Sequence, residues 1–246
     1  MAANWMRRTV MVAACASAAL LAACGSSTTE SAITPQRFIA FGDAMSDVGQ
    51  NGSRYTVNDG SVNNWTLQVV ANYGWTDAKA DDSAFATDAV LNVPDILKTP
   101  RFKLVVASIA AAQGTAASVQ ATAVFDAWIQ AFNTQLSASF AGDSRVAIVN
   151  FNESSKDQAD RPAQYELSNI TTPACPVTGR GSDGLPTYSF PTCTAAALSA
   201  APPVGVAGGA DWWKFYAFSD GFHPSPYVHQ LMGQLVSRSL SQAGWL

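Results

Sequence analysis

The sequence has little charge and no basic excess. Only 13% of its 246 residues are charged, and the formal net charge is −4. Disordered chains are usually polar and highly charged, whereas 48% of these residues are hydrophobic, so we expect a packed core. The negative balance disfavours a nucleic-acid partner, which would require a basic face. The length allows one large domain or two small ones.

The first residues are typical of an export signal rather than of a membrane span. Arg7 and Arg8 precede an apolar stretch, residues 9–23, that is too short and too rich in alanine for a transmembrane helix. The stretch ends in "LAACG", which resembles the lipobox of bacterial lipoproteins, where the cysteine (here Cys24) is acylated and becomes the new N-terminus. The alternative is an ordinary signal peptide, or a chance cysteine in an alanine-rich run.

The lipoprotein resemblance implies how the chain is divided and where it is located. It implies a signal peptide over 1–23, a lipidated tether over 24–36 and a folded domain over 37–246. Gly25 after the cysteine implies export to the outer membrane of a Gram-negative bacterium, with the lipid as the contact to the membrane. Cleavage removes two arginines and no acids, so the net charge changes from −4 to −6 (−4 − 2).

Four cysteines are present, and two of them remain for the folded domain. Cys15 lies in the predicted signal and Cys24 in the lipobox, which leaves Cys175 and Cys193. In an exported chain this pair predicts a disulfide. In the chain-entropy model, closing a loop of this length contributes about 3 kcal/mol. A metal site is the weaker alternative, because no CxxC motif or nearby histidine accompanies the pair.

Hydrophobic periodicity predicts an alternation of strands and helices, which is the α/β signature. We expect strands over 37–41, 89–95 and 145–151, and a short strand over 213–218. We expect a short helix that ends at Gly74, a long one over about 116–141 and a last helix after Pro224. Residues 76–88 are polar and featureless, and 152–211 are mostly loop.

The stretch "FIAFGDAMSDVGQNG", residues 38–52, lacks the group that its pattern leads one to expect. An apolar run stops at Gly42 and Asp43, which is how a buried strand turns into an active-site loop. Such a turn usually presents a nucleophile at the next residue, which here is Ala44. The chain is therefore an enzyme without its reactive group, a family member with another use, or a coincidence of letters.

A second motif, "FSDGFHPSP" (residues 218–226), comes just before the last predicted helix. Asp220 and His223 are three residues apart, so the carboxylate can orient one imidazole nitrogen and leave the other as a general base. With "GDAMSD", this motif closely resembles the end blocks of the SGNH or GDSL-type esterases and lipases. The segments "NNWTLQVVANYG" and "VLNVPDILKTPRF" also look like parts of that family, so the resemblance covers most of the mature chain.

The family resemblance implies a three-layer flavodoxin-like parallel sheet flanked by helices. It implies Ser-His-Asp hydrolysis of acyl esters, with Ala44 at the nucleophile position and Asp220 and His223 as its partners. The backbone N–H of Ala44 would be one oxyanion donor. Without the serine hydroxyl, His223 has nothing to deprotonate, so the chain is expected to be inactive. No metal or organic cofactor is implied, and the expected partner is an acyl-ester or lipid-like small molecule.

Two departures from the family go beyond Ala44. We find neither the middle glycine block nor the Gly-x-Asn-Asp block that supply oxyanion donors, because Asn58 and Asn92 lie in the wrong context. The polar run 76–88 reads as a junction where part of the sheet is deleted. Ser46 matches the second serine of the family pattern and is disfavoured as a substitute nucleophile, and His229 is expected to be a structural helix residue.

The main alternative function is a non-catalytic lipoprotein that binds a lipid or a glycan. Its pocket would be lined by four aromatic side chains near the second motif, Trp212, Trp213, Phe215 and Tyr216. The competing interpretation of these side chains is a buried strand beside the disulfide loop. A decayed gene product without a function is a third possibility.

Overall fold

The computed structural model describes most of the predicted folded domain. The described residues are 37–40, 44–49, 52–59, 64–77 and 87–246. They all lie within one compact unit, residues 33–246. The predicted signal peptide, Cys24, the tether and the turn at Gly42 and Asp43 lie outside the described residues.

The described chain is mixed α/β, as predicted. Its six α-helices are Trp65–Tyr73 (α1), Pro100–Gln113 (α2), Thr115–Ser139 (α3), Phe151–Asp160 (α4), Ala195–Ala200 (α5) and Pro226–Gln242 (α6). Its strands are short, and they are Arg37–Phe38 (β1), Thr76–Asp77 (β2), Asp88–Leu91 (β3), Val146–Val149 (β4), Gly179–Arg180 (β5) and Pro186–Thr187 (β6).

The strands form three separate pairs within the described residues. β1 pairs with β2 and β3 pairs with β4, both in parallel, whereas β5 and β6 form an antiparallel hairpin. Parallel neighbours require a crossover, and α2 and α3 provide it between β3 and β4. The start of the run 76–88 is therefore not featureless, because Thr76–Asp77 pairs with β1; residues 78–86 lie outside the described chain.

The first and last predicted helices are confirmed, and their ends follow from capping residues. The Asn64 side chain accepts a hydrogen bond from the Leu67 amide at the start of α1, which ends at Gly74 with φ of 65°. At the start of α6 the Ser225 side chain accepts from the Val228 amide, and proline occupies the first helical position. These two helices pack on β4 around the buried side chains of Trp65, Val69, Val149, Met232 and Val236.

The long predicted helix is confirmed as α3, but the sequence did not predict the helix before it. α2 begins with Thr99 as its cap and proline in its first turn, and it is separated from α3 by Gly114 with φ of 91°. The two helices pack on each other as a hairpin. The apolar stripe of α3 is only partly covered, because Ile129 is buried while Trp128 remains 64% exposed and Phe132 remains 55% exposed.

Most of the region 152–211 is loop, as predicted, but the regular elements within it were not predicted. This region contains most of α4, the β5–β6 hairpin and α5. α4 has a mainly polar sequence, "FNESSKDQAD", in which only Phe151 and Gln158 are buried, so it lacks the apolar periodicity that predicts a helix. It forms where the Asn150 side chain accepts a hydrogen bond from the Glu153 amide, and this cap also ends β4 before the predicted limit of its strand.

The prediction of a short strand over 213–218 is wrong. The backbone turns there and makes only isolated bridges, Asn169 with Tyr216 and Phe218 with Pro224. The other predicted strands are shorter than expected, because β1 ends at Phe38 and β3 ends at Leu91. None of the helices in the described part of the chain is both long enough and apolar enough to cross a bilayer.

Candidate active site

The second motif forms a tight turn in which Asp220 contacts both the backbone and the side chain of His223. Asp220 Oδ1 accepts hydrogen bonds from the amides of Phe222 and His223, at 2.8 and 2.6 Å. Asp220 Oδ2 lies 2.9 Å from His223 Nδ1. One carboxylate thus shapes the turn and orients the imidazole. Aspartate side chains commonly stabilise turns in this way, by accepting hydrogen bonds from backbone amides a few residues further on. No described residue forms a hydrogen bond with His223 Nε2.

The electrostatics of the turn favour a charged Asp220. Burial of its side chain acts to raise the pKa, but the hydrogen bonds and positive charge of His223 and the amide of Phe222 outweigh it. The pKa of Asp220 therefore lies below its ordinary value. An ionised carboxylate accepts the Nδ1 proton, which leaves the lone pair on Nε2 and makes this nitrogen a possible proton acceptor.

Two buried hydroxyl groups, those of Thr56 and Ser219, stabilise the turn that bears Asp220 and His223. The Ser219 hydroxyl donates to the Pro224 carbonyl at 3.0 Å and accepts from the Val57 amide at 3.1 Å. The Thr56 hydroxyl donates to the same carbonyl at 3.1 Å, and both hydroxyl side chains are fully buried. Because buried polar groups need their partners, these bonds fix residues 218–225 against the segment of Thr56 and Val57.

Three aromatic rings surround the imidazole. The ring centroids of Tyr55, Phe190 and Phe222 lie 5.2, 5.5 and 5.5 Å from that of His223. Tyr55 also packs edge-on against Phe190 at 5.4 Å and is 41% exposed, so this wall faces solvent on one side. The imidazole therefore lies in a largely apolar setting with limited access to water.

The predicted disulfide is present and connects the parts of this wall. Cys175 and Cys193 are bonded. The Cys175 amide donates to the Ser219 carbonyl at 2.8 Å, and the Asn58 amide donates to the Cys193 carbonyl at 2.9 Å. The disulfide loop, which carries Phe190, is thereby attached both to the turn that bears His223 and to the segment that bears Tyr55.

The first turn of α2 contacts the Asp220–His223 pair (the dyad) through Gly221, which lies between the two residues. The Arg101 amide donates to the Gly221 carbonyl at 2.7 Å, and the Arg101 guanidinium pairs with Asp183 in the disulfide loop, also at 2.7 Å. A Cβ on Gly221 would lie 3.2 Å from the Arg101 Cβ, which is a tight contact. A glycine between Asp220 and His223 therefore allows the close approach of α2.

Ala44 begins a short 3₁₀ helix, Ala44–Ser46, and its position relative to the dyad is indicated by its neighbour. Met45 lines the same cavity as Phe222 and Pro224, the two residues that flank His223. The two sequence motifs therefore meet at one place in the fold. Ser46 is not a hydrogen-bond partner of His223, and the role of the Ala44 amide as an oxyanion donor stays a prediction.

The two asparagines whose sequence context excluded them as oxyanion donors, Asn58 and Asn92, make structural contacts. The Asn58 side-chain amide donates to the carbonyls of Arg54 and Thr56, at 2.7 and 2.9 Å. The Asn92 side chain donates to Asn150 Oδ1 at 3.0 Å and accepts from the Asn152 amide at 2.7 Å. Both side chains therefore serve as structural contacts in this arrangement.

His229, the only other histidine, is a buried residue of α6. Its Nδ1 has no hydrogen-bond partner among the described residues. Burial, with smaller contributions from the charges of His223 and Arg54, lowers its pKa to about 3. The imidazole is therefore neutral at ordinary pH.

Three of the four aromatic side chains proposed for a binding pocket belong to the core instead. Trp212, Trp213 and Tyr216 are only 4–6% exposed and pack with the disulfide. Phe215 is 40% exposed and stacks edge-on against Tyr227 at 5.1 Å. Trp212, Trp213 and Tyr216 are therefore part of the core beside the disulfide loop, as the competing interpretation held. They lie in turns, however, and not in a strand.

Sequence reasoning missed Tyr55, Phe190, Thr56 and Ser219. Only Ser219 carried a local signal, since it directly precedes Asp220.

Within the described residues, no group of three or more His, Cys, Asp or Glu side chains could hold a metal ion. No protein-family model matches the sequence, and no curated protein matches it either.

Proposed function

We propose that this chain is an ester hydrolase scaffold of the SGNH or GDSL type that lacks its nucleophile. The carrying observation is the Asp220–His223 pair, with 2.9 Å between Oδ2 and Nδ1, placed directly before α6. The substrate class is acyl esters, which include lipids. With alanine at position 44 the chain is inactive, because the methyl group of Ala44 has no proton to give to His223.

In the active form of this chemistry each residue has one task. Asp220 fixes the imidazole with Nδ1 as donor and stabilises the imidazolium when it forms. His223 Nε2 takes the proton of the nucleophilic hydroxyl as that oxygen attacks the ester carbonyl. It then returns the proton to the leaving alcohol. The low polarity of the ring wall strengthens the Asp220–His223 interaction relative to water.

The finer fold assignment is part of the proposal. We infer a three-layer flavodoxin-like sheet, trimmed by a deletion near residues 76–88. In support, β1–β2 and β3–β4 are both parallel, and α1 and α6 pack against β4. A short, interrupted sheet is what a doubly wound domain would keep if strands near the first one were deleted.

The oxyanion donors are the weakest part of the inferred machinery. The Ala44 amide is the one donor that we assign. Each missing donor typically lowers the rate 10²–10³-fold, or roughly 3–4 kcal/mol. A chain without both nucleophile and donors would retain little catalysis.

The inferred location follows mainly from the N-terminal motif. We propose cleavage after residue 23, acylation of Cys24 and an outer-membrane location. The disulfide between Cys175 and Cys193 supports an oxidising compartment, because such bonds are rare in reducing ones.

The experiment is to restore the hydroxyl with Ala44→Ser and to measure p-nitrophenyl butyrate hydrolysis. We expect the purified parent chain to be silent and the variant to be active. The double variant Ala44→Ser, His223→Gln should again be silent, and Ser46→Ala in the Ala44→Ser background should keep its activity. Circular dichroism would confirm that each chain is folded.

A folded Ala44→Ser variant with no activity above the double variant would contradict the proposal of a complete scaffold. That result would favour the second candidate, a non-catalytic lipoprotein that binds a lipid or glycan. The observation in its favour is the partly exposed ring wall of Tyr55, Phe190 and Phe222, which offers an apolar surface without a nucleophile.

A further inference from the structure

A small cavity lies beyond the carboxyl ends of the parallel strands β3 and β4. β3 ends at Leu91 and β4 ends at Val149, and these two residues are register partners, so both strands end at the same edge. The segment 94–99, which follows β3, and the helix α4, which follows β4, both contribute side chains to the lining. Open α/β folds bind their ligands outside the carboxyl ends of such strands. The cavity is therefore placed where a ligand is expected.

The cavity adjoins both parts of the inferred ester machinery. Met45, which directly follows Ala44, lines it. Phe222 and Pro224, which flank His223, line it as well, and the ring centroids of Phe222 and His223 are 5.5 Å apart. A hydrocarbon chain bonded to an ester carbonyl between position 44 and His223 therefore has this cavity next to it.

Most of the lining is apolar and comes from several elements. Phe151 belongs to α4 and Val228 to α6, and both side chains are buried. Leu167 and Ala217 pack with Val228 in one apolar cluster and complete the wall. Each CH₂ group that a ligand buries in such a site increases its affinity about fourfold. The lining therefore favours a hydrocarbon chain.

The acidic side chain of the lining makes its contacts within the protein. Asp95 Oδ1 accepts a hydrogen bond from the Leu97 amide at 3.2 Å, and its Oδ2 is closed off from solvent. The Asp95 amide donates to the Ser155 hydroxyl at 2.8 Å, and this hydroxyl donates to the Asn152 carbonyl at 2.9 Å. The carboxylate and the hydroxyl thus stabilise the protein backbone around the cavity.

The other polar side chains of the lining are engaged in the same way. The Thr99 hydroxyl accepts a hydrogen bond as the cap of α2. The Gln158 amide group donates to the Ser154 hydroxyl at 3.1 Å, and the Lys98 ammonium donates to Asp160 at 2.7 Å. Because these groups already have partners, the lining suits a hydrocarbon better than a ligand with many hydroxyl groups, such as a glycan.

We propose that this cavity holds the acyl chain of the ester, which narrows the substrate class to esters of linear fatty acids and away from acetylated glycans. The inference rests on the proposed function, since it places the ester carbonyl at position 44 and His223. The acyl chain passes Met45 and Phe222 and lies along Leu167 and Val228. Because Ala44 provides no nucleophile, the chain binds such an ester and leaves it intact.

Binding of an intact ester to the full, unsubstituted chain is the first test, followed by protein NMR. We expect methyl hexanoate to bind saturably and to shift the amide signals of Leu167 and Ala217, but not that of the exposed Val204. Methyl acetate is four CH₂ groups shorter and should bind at least about tenfold more weakly, since each buried CH₂ contributes about fourfold. Absence of saturable binding, or equal affinity for the two esters, would overturn the proposal.

Contacts measured by the nuclear Overhauser effect in the same sample test the orientation of the ester. We expect the terminal methyl group of the hexanoyl chain to contact Leu167 or Val228, and the methoxy group to contact Met45 or Phe222. The opposite orientation, or contacts only with residues outside the lining, would contradict the proposal. This measurement requires no substituted chain to fold.

Ala159→Leu tests the site by filling it, and Ala112→Leu is its matched control. Ala159 lies on α4 and lines the cavity, and leucine is a good helix former, so the substitution mainly removes space. We expect the affinity for methyl hexanoate to fall at least about tenfold. Ala112→Leu adds the same side chain at an exposed position of α2 and should leave the affinity unchanged. Equal affinities of the two folded variants would place the ligand elsewhere and refute the site.

Activity in the Ala44→Ser background separates this inference from the proposed function. The ratio of kcat/KM for p-nitrophenyl hexanoate to that for p-nitrophenyl acetate should fall at least about tenfold when Ala159→Leu is added. If Ala44→Ser is active and this ratio is unchanged, the proposed function stands and the acyl site is refuted. If Ala44→Ser is silent while the unsubstituted chain binds methyl hexanoate in the cavity, the proposed function fails and the acyl-chain site stands.

Discussion

Protonation of His229 should make the protein sensitive to mild acid. The imidazole is 1% exposed, its Nδ1 is unpartnered among the described residues, and its pKa is lowered from 6.5 to about 3. Between these two values the unfolded chain binds a proton that the folded chain does not. Stability therefore falls as the pH falls below the unfolded value, and it is fully present above that value.

The magnitude follows from the two pKa values. Linkage gives a loss of about 2 kcal/mol in the free energy of unfolding between about pH 7.5 and about pH 5. This figure depends on the unfolded value of 6.5 and hardly on the folded one, as long as the latter lies well below 5. Carboxylates contribute little in this window, because the pKa of an unfolded Asp or Glu lies near 4.

The measurement is urea unfolding, followed by tryptophan fluorescence, at the two pH values. His229→Leu should remove most of the pH dependence, with His229→Gln as a second variant if the first folds poorly. Since each chain is compared with itself, an overall change in stability does not affect the result. His223→Gln removes the other histidine and should keep the loss. Retention of the full loss in both His229 variants would refute the reasoning.

Two further predictions concern the framework around the dyad. Ser219→Ala should lower the free energy of unfolding by about 1–3 kcal/mol, because it leaves the buried Val57 amide without a partner and removes one of the two donors to the Pro224 carbonyl. Ser168→Ala, at an exposed site, should change this free energy by less than about 0.5 kcal/mol. Similar values for the two variants in urea unfolding would contradict the buried network. Reduction of the disulfide between Cys175 and Cys193, which are 18 residues apart, should cost about 3 kcal/mol in the same assay, and an unchanged midpoint after confirmed reduction would contradict it.

What could be predicted from the sequence was local. The turn with Asp220 and His223 is encoded within nine residues, and α6 follows from a serine cap, a proline and regular apolar spacing. The disulfide was predictable because only two cysteines remained after the N-terminal segment was set aside. The turn and α6 depend on residues that are close in sequence, and the disulfide depends on a residue type with only one possible partner.

The remaining features depend on contacts that no local pattern carries. Thr56 and Ser219 are 163 residues apart, and nothing in the sequence around Thr56 indicates that it supports the turn. α4 was missed because its stability depends on the Asn150 cap and on Phe151, in an otherwise polar helix. The segment 213–218 was misread because alternating aromatic residues suit a strand, although here they are buried as a turn against the disulfide.

The same contacts bear on the proposal that this chain lacks a nucleophile. Asp220 Oδ1 receives two backbone amides, and Ser219 and Gly221 serve packing and hydrogen bonding, so the fold has its own use for most of this turn. The presence of this turn is therefore no measure of activity. In this turn His223 Nε2 has no structural partner among the described residues, and a hydroxyl introduced at position 44 is the direct way to learn whether this nitrogen can act as a base.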